Sequence, residues 1–212
     1  MSGIFTAYDI RGIYPIEINA DVAEAIGRAY IEFTGAKKVA VGRDMRPHSL
    51  PLFEGLSRGM LAQGADVIDL GLVSTPMSYF ANGTLKVDGS VMITASHNPG
   101  EWNGFKLCLA NAVPISGATG IMEIQKIAEA KSWRKVDQPG TLSTYDIAPE
   151  YGGQGYGVEA FRAVAEWGLY QRHLGHVVAK CFKENDASYK MLSSCMRKKG
   201  EDEKFFYFNK EV

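Results

Sequence analysis

Apolar residues recur along the first two thirds of the chain with two periods, one typical of strands and one typical of helices. The short apolar runs, which predict buried strands, are residues 39–41, 67–70, 91–94 and 105–109, and a further strand can begin within residues 4–10. Helical spacing covers residues 21–33, 50–63 and 120–131. Strands separated by helices of about a dozen residues predict βαβ units. We therefore expect an α/β protein with a mixed, largely parallel sheet flanked by helices.

The pattern changes in the last third of the chain. Residues 132–149 show little periodicity and contain prolines and a glycine, which predicts a linker or an edge segment. A glycine-rich loop and a long helix follow. After them the pattern predicts a strand at residues 176–182, a helix that Asn185 or Asp186 caps, and a last strand at residues 204–212.

Composition narrows the class of protein. The 212 residues suit one large or two small domains, and 46% hydrophobic residues are typical of a globular protein. The net charge of -1 provides no basic field for nucleic acid or anionic lipid, and no apolar run reaches the ~18 residues that a membrane helix needs. Three cysteines without metal-ligand spacing fit a reducing compartment. We expect a cytoplasmic protein that binds neither nucleic acid nor membrane.

Polar chemistry is concentrated where the strand at residues 91–94 ends. Ser96, His97 and Asn98 follow that strand directly, and Lys106 lies in the next one. Ligands of open α/β sheets gather at the carboxyl ends of strands. A serine hydroxyl can accept a phosphoryl group, and the neighbouring side chains can hold its oxygens. An ordinary loop between two strands is the alternative, and a serine hydrolase is disfavoured because no G-x-S-x-G elbow surrounds Ser96.

Four motifs then point to one family. They are "FTAYDIRG" at 5–12, "VAVGRDMRPHS" at 39–49, "DVIDLGLVSTPMSYFA" at 66–81 and "TASHNPGEWNGFKL" at 94–107. In this order and spacing they resemble the first domain of the α-D-phosphohexomutases, which include phosphomannomutase and phosphoglucomutase. The resemblance covers residues 1–147 and implies phosphoryl transfer on a hexose phosphate or hexose bisphosphate through a phosphoserine.

The resemblance also assigns roles by position. Ser96 would be the phosphorylated serine, and its phosphate would ligate Mg2+. The residues implied to act with Ser96 in catalysis are His97, Lys106 and Arg11, and those implied to bind the substrate or its phosphate are Tyr8 and Asn98. For Arg43 and Asp44, beside another strand end, we expect structural support.

The sequence departs from the family in one respect that bears on activity. The mutases complete their site with an Asp-x-Asp-x-Asp metal loop, a sugar-reading loop and a basic phosphate-binding loop from later domains. None of these motifs occurs in the 212 residues. Phosphoryl transfer depends mostly on positioning and charge stabilisation, so we expect an incomplete activity.

A second resemblance covers the end of the chain. "PEYGGQGYGVEA" at 149–160 places glycines before a helix, which suits either a flexible turn or a phosphate cradle. With the segment that follows, it resembles the second half of a GNAT N-acetyltransferase over residues 145–212, so we expect residues 148–212 to form a partial module of that kind. The residues implied to bind acetyl-CoA are Gly153, Gly155, Gly157, Asn185 and Ser188.

The second resemblance leaves three functions open. The usual Arg or Gln at the loop is Gly152, and the first half of the acetyltransferase fold is absent. Both families can contribute Tyr145 to Ile147, which suggests a fusion at a shared string, of an origin that the sequence leaves open. An acetyl-CoA-binding N-acetyltransferase is the alternative to the mutase function. A non-catalytic fusion or fragment is the third, and an exposed sheet edge would favour its self-association.

Overall fold

The computed structural model describes residues 3–147, 156–166, 169–170 and 173–211, and the chain divides into two compact units between Ile147 and Ala148. The first unit contains a six-stranded sheet. Its strands are β1 (Ile10–Ile13), β2 (Lys38–Arg43), β3 (Asp66–Leu72), β4 (Gly89–Ile93), β5 (Trp102–Leu109) and β6 (Leu142–Thr144). Their order is β1-β5-β4-β2-β3-β6, with β4, β2, β3 and β6 parallel and β5 antiparallel to both its neighbours.

Four α-helices accompany this sheet: α1 (Ala20–Thr34), α2 (Ser49–Ala62), α3 (Thr75–Thr84) and α4 (Met122–Ala130). Every residue of β4 is buried, so both faces of the sheet centre are covered. The prediction of a mixed, largely parallel sheet flanked by helices is confirmed. Residues 132–149, predicted as a linker or an edge segment, contribute the edge strand β6.

Helices α1 and α2 approach each other unusually closely because glycines line their contact. A Cβ atom on Gly27 would lie 2.3 Å from the carbonyl oxygen of Leu56, and one on Gly59 would lie 2.2 Å from that of Glu24. Real Cβ atoms do not come so near, so the two backbones touch directly. This contact fixes α2, whose first residues follow the end of β2, relative to the sheet.

Two elements of the first unit differ from the sequence prediction. The predicted strand at residues 4–10 is mostly a loop, because the Thr6 hydroxyl bonds the backbone N–H, the carbonyl and the carboxylate of Asp9 and closes a turn there. Only Ile10–Ile13 pairs with β5. Helix α3 was not predicted, although Ser74 caps it by accepting from the Met77 N–H and a proline lies in its first turn.

The second unit has a three-stranded antiparallel sheet in the order β7-β9-β8, with two α-helices in its described residues. The strands are β7 (His176–Phe182), β8 (Arg197–Glu201) and β9 (Phe205–Glu211), and the helices are α5 (Tyr156–Glu166) and α6 (Asp186–Ser193). Cys181, Leu192, Met196 and Phe208 form its small core. The helix predicted over residues 185–198 ends at Ser193, and strand β8, which was not predicted, begins within its last two residues. It forms because pairing with β9 satisfies the backbone of a run that has almost no apolar residue.

None of the described helices combines the length and apolar character needed to cross a membrane.

Candidate active site

The candidate site lies at one edge of the six-stranded sheet. Strands β2 and β4 are parallel, so Asp44 and Thr94, which follow them, emerge at the same edge. The antiparallel β5 begins at this edge, and its Gly104 carbonyl accepts a hydrogen bond of 3.0 Å from the Thr94 N–H. Residues 95–101 form the loop between β4 and β5, which we call the serine loop. Its placement follows from the topology alone.

Ser96 is exposed and adopts an uncommon backbone conformation in this loop. Its φ of 55° lies in the left-handed region, which costs a non-glycine residue about 1 to 2 kcal/mol. A 2.9 Å hydrogen bond from the Ser96 N–H to the Thr94 hydroxyl holds that conformation. The Ser96 Oγ atom lies 3.1 Å from the His97 Nδ1 atom. The hydroxyl is therefore presented to solvent beside an imidazole that can accept its proton.

A buried carboxylate, Asp9, anchors the two cations of the site. Its Oδ2 atom accepts hydrogen bonds from the Arg11 Nη2 atom at 2.7 Å and from the Lys106 Nζ atom at 3.0 Å. Burial by itself raises the pKa of the Asp9 carboxyl, but the bonds and charges of Arg11 and Lys106 outweigh it and hold that pKa below its ordinary value. With one carboxylate and two cations, the cluster keeps one net positive charge.

Arg11 also connects this cluster to the serine loop. Its Nη1 atom donates to the Ala95 carbonyl at 3.3 Å and to the Asn98 Oδ1 atom. Asn98 is thus oriented by Arg11 before any ligand is present. Tyr8, by contrast, extends into solvent with 82% of its surface exposed. Of the predicted site residues in the first unit, the structure brings together Ser96, His97, Asn98, Arg11 and Lys106 directly or through Asp9.

Arg46 holds the serine loop in place through hydrogen bonds to its backbone. Its guanidinium donates to the carbonyl oxygens of four residues of the loop and its end: Ser96 at 3.2 Å, Asn98 at 2.8 Å, Pro99 at 2.7 Å and Trp102 at 3.1 Å. Asp44 orients the guanidinium by accepting from its Nε atom at 3.2 Å. A single side chain thereby satisfies three carbonyls of the serine loop and that of the first residue of β5.

A second network of polar contacts connects to the same loop. The buried Asn103 amide nitrogen is 2.9 Å from both the Ser49 Oγ and the His48 Nδ1 atoms. The other ring nitrogen of His48 is 2.9 Å from the Gly100 carbonyl, and Ser49 donates to Asp44 at 2.6 Å. This chain of contacts joins the beginning of α2 to the end of the serine loop.

Arg43 and Asp44 do not form the pair that their adjacency suggests. Arg43 bonds the Asp69 carboxylate of β3 at 2.6 Å and lies over the Phe53 ring, whereas Asp44 bonds Arg46. Both residues therefore act as braces with separate partners.

Sequence reasoning did not single out Asp9, Arg46, His48 or Asn103. All four lie inside the quoted motifs, where a carboxylate two residues before Arg11 and a basic residue after Arg43-Asp44 were available signals. Their partners come from distant segments, so their roles required the fold.

The described residues do not offer a metal centre. Among them, no group of three or more His, Cys, Asp or Glu side chains is placed to hold an ion. Mg2+ prefers six oxygen ligands, including carboxylates, and the carboxylate nearest this chemistry, Asp9, is already bonded to two cations. These residues by themselves do not fit the metal that the phosphohexomutase resemblance implies.

The predicted acetyl-CoA residues lie in the second unit. Gly153 and Gly155 are outside the described residues, and Gly157 lies in the first turn of α5. Asn185 caps α6, with its Oδ1 atom accepting from the Ser188 N–H at 2.9 Å. The capping bond explains why these two residue types occur together. It gives Asn185 a structural role that needs no ligand.

Comparison with known proteins gives two family matches. The model of the phosphoglucomutase/phosphomannomutase α/β/α domain I matches residues 2–135, and the model of the GNAT acetyltransferase domain matches residues 77–195. Each match covers more than half of the chain. They overlap over residues 77–135, where the structure places β4, β5 and α4 in the first unit.

Individual relatives agree with the first match. The chain is 48% identical over 149 residues to a phosphomannomutase of Klebsiella pneumoniae, covering 69% of this chain and 95% of that protein. A phosphomannomutase of Escherichia coli is also 48% identical over 149 residues, but only 33% of that protein is covered. A solved phosphoglucomutase/phosphomannomutase family protein of Burkholderia thailandensis is similar with a TM-score of 0.65 and 35% identity, over 76% of this chain and 35% of that one.

Proposed function

Because the chain belongs to the phosphoglucomutase/phosphomannomutase family and, through residues 77–195, also to the GNAT acetyltransferase family, we propose that its first unit carries phosphohexomutase-type phosphoryl transfer with Ser96 as the phosphoryl carrier. The observation that carries the proposal is the placement of Ser96. Its hydroxyl is exposed at a strand end, 3.1 Å from the His97 Nδ1 atom, on a loop that Arg46 and Arg11 hold in place. A serine needed only for packing would not be presented in this way.

The proposed step is a phosphoryl transfer from a hexose bisphosphate to Ser96. A bond forms between the Ser96 Oγ atom and phosphorus, and the bond from phosphorus to the sugar oxygen breaks, which releases a hexose monophosphate. His97 accepts the hydroxyl proton at Nδ1 and returns it to the departing sugar oxygen. Phosphorylated Ser96 then transfers its phosphoryl group to the free hydroxyl of the isomeric hexose monophosphate, which restores the free serine and the hexose bisphosphate, so the two steps together interconvert the two monophosphates.

The cations of the site stabilise the phosphoryl group during this transfer. Lys106 and Arg11 supply the net positive charge beside the serine loop, since Asp9 neutralises only one of them. Asn98, oriented by Arg11, offers amide hydrogens to a phosphate oxygen, and the exposed Tyr8 ring is available to contact the sugar. No step is assigned to a metal, because the described residues do not form a site for one.

Intact-mass measurement tests the proposal. Incubation with glucose 1,6-bisphosphate should add one phosphoryl group to the protein, and peptide mapping should locate it on Ser96. Ser96→Ala should abolish the added mass, whereas Ser132→Ala, which removes an exposed hydroxyl elsewhere in the first unit, should leave it unchanged. Phosphate on another residue, or none on folded protein, would contradict the assignment.

Acetyl-CoA binding is the second candidate function, favoured by the GNAT match through residue 195. A helix dipole contributes only ~0.3 to 1 kcal/mol to holding an anion, so the glycine loop would bind the CoA pyrophosphate weakly without further contacts. Calorimetry with acetyl-CoA should give weak heats that Gly155→Val does not change. Micromolar affinity lost on that substitution would instead favour the acetyltransferase function.

A further inference from the structure

The second unit contains an open pocket that neither proposed activity uses. It has a volume of about 560 Å3, within the range of small-molecule sites. The end of α6, the start of β8 and the end of β9 form its walls, and Arg162 of α5 reaches into it. Met196, which is buried, lies in its lining. The pocket thus combines an apolar contact surface with polar walls.

The side chains around this pocket are predominantly basic. Arg162, Arg197, Lys199 and Lys210 line it together with one carboxylate, Glu211. Lys199 pairs with Glu211 at 3.6 Å, and Lys210 pairs with Glu166, outside the lining, at 3.1 Å. Within the described part of the chain, neither arginine forms an ion pair. Four cations against these two carboxylates leave an excess of two positive charges, carried by guanidinium groups suited to bidentate contact with phosphate.

Asn209 supplies an independent sign of a missing partner. Its Nδ2 atom donates to the Glu211 carboxylate at 2.7 Å, but its Oδ1 atom is buried and accepts no hydrogen bond among the described residues. A buried acceptor without a donor is unfavourable. The oxygen has almost no accessible surface, so a ligand hydroxyl reaches it only when the Asn209 side chain, which lines the pocket, turns toward the ligand. That bond would satisfy the acceptor.

We propose that this pocket binds a small organic phosphate that carries a hydroxyl group, with the phosphate held by Arg162 and Arg197 and the hydroxyl donating to Asn209. The free guanidinium groups select the anion, and the unpaired Asn209 oxygen selects a donor that a simple inorganic anion such as sulfate lacks. The site is separate from the one implied for acetyl-CoA. Asn185 and Ser188 lie at the beginning of α6, whereas the pocket lies at its end, about 12 Å away for an eight-residue helix.

Cys195, which lines the pocket and is partly exposed, provides a local reporter. Its alkylation by iodoacetamide, followed by mass spectrometry of the peptide, should slow as glycerol 3-phosphate is added, and sulfate at equal ionic strength should protect it less. Arg162→Gln/Arg197→Gln should weaken the protection at least about tenfold. Asn209→Ala should remove the advantage of glycerol 3-phosphate over sulfate.

A control variant removes the same number of positive charges as the arginine variant, but at exposed positions outside the pocket. In Lys190→Gln/Lys204→Gln, glycerol 3-phosphate should protect Cys195 as it does in the parent. Equal protection in the arginine variant and the parent would overturn the proposal. An equal loss in the Lys190/Lys204 variant would also overturn it, by showing general screening of charge instead of a site.

Discussion

At the scale of single residues, Arg46 and Asp9 determine how the candidate site is held. Neither is the proposed phosphoryl carrier, but each positions other residues of the candidate site. Arg46 fixes the backbone of the serine loop through four carbonyls, and Asp9 fixes Arg11 and Lys106 through one carboxylate oxygen. We therefore expect substitutions of Arg46 and Asp9 to have effects that differ from those of removing the Ser96 hydroxyl.

Arg46→Lys should slow the phosphorylation of Ser96 by roughly 100-fold, the scale expected when reacting groups shift by about 1 Å. A lysine keeps the charge, but its single nitrogen cannot serve the four carbonyls that the two terminal nitrogens of the guanidinium reach. Single-turnover labelling with glucose 1,6-bisphosphate measures the rate. Arg58→Lys, which alters an exposed arginine paired with Glu24, should retain the parent rate. Parent-like labelling of Arg46→Lys would show that the guanidinium does not position the loop.

Asp9→Asn should reduce stability in a way that depends on pH. A carboxyl whose pKa is lowered by folding contributes stability that is fully present above its ordinary value of 3.8 and is lost as pH falls through the lower folded value. The difference in unfolding free energy between parent and variant should therefore be constant near neutral pH and shrink below about pH 4. Urea denaturation across pH 2.5 to 7 measures it. If the difference in unfolding free energy stayed the same down to pH 2.5, the effect of Asp9→Asn would arise from packing instead of charge.

At the scale of elements, the contact between α1 and α2 sets the geometry from which Arg46 and His48 reach the serine loop. Gly59→Ala should destabilise the first unit by about 1 to 3 kcal/mol, because the new Cβ would lie 2.2 Å from the Glu24 carbonyl oxygen and force the helices apart. Gly83→Ala in α3 has nothing within 4 Å and should stabilise by about 0.5 to 1 kcal/mol through helix propensity. Thermal unfolding compares them. Equal effects of the two substitutions would refute the close contact.

How well the elements follow from the sequence depends on whether their signal is local. The helices at residues 21–33 and 50–63 were predicted within one or two residues because an apolar stripe and a terminal glycine are both local signals. Strand β8 escaped prediction because its polar residues become a strand only through pairing with β9. The site divides in the same way. Ser96, His97 and Lys106 carry recognisable chemistry, whereas Arg46 acquires its role only when β2 and β4 end side by side.

At the scale of the whole molecule, the share of each relative's length that the chain covers bears on the activity to be expected of the chain. The chain spans nearly all of the Klebsiella pneumoniae phosphomannomutase that it matches, but about a third of the Escherichia coli one. Within the described residues, the charge available to a phosphoryl group is the single net positive charge of the Asp9 cluster, without a group that could hold a metal. Accepting a phosphoryl group and turning over a hexose phosphate are therefore separable properties.

A protein of these 212 residues should accept phosphate on Ser96 without steady mutase turnover. Repeated turnover needs stronger charge stabilisation and a bound sugar that reorients between the two transfers, and one net cationic charge with an exposed Tyr8 supplies little of either. A coupled assay of glucose 1-phosphate and mannose 1-phosphate conversion measures turnover, with the Escherichia coli phosphomannomutase as the active control. Rates of about 1 to 1000 per second would contradict the prediction. If such turnover vanished on dilution, the site would be completed by a second chain, whereas turnover independent of concentration would place every essential group within this one.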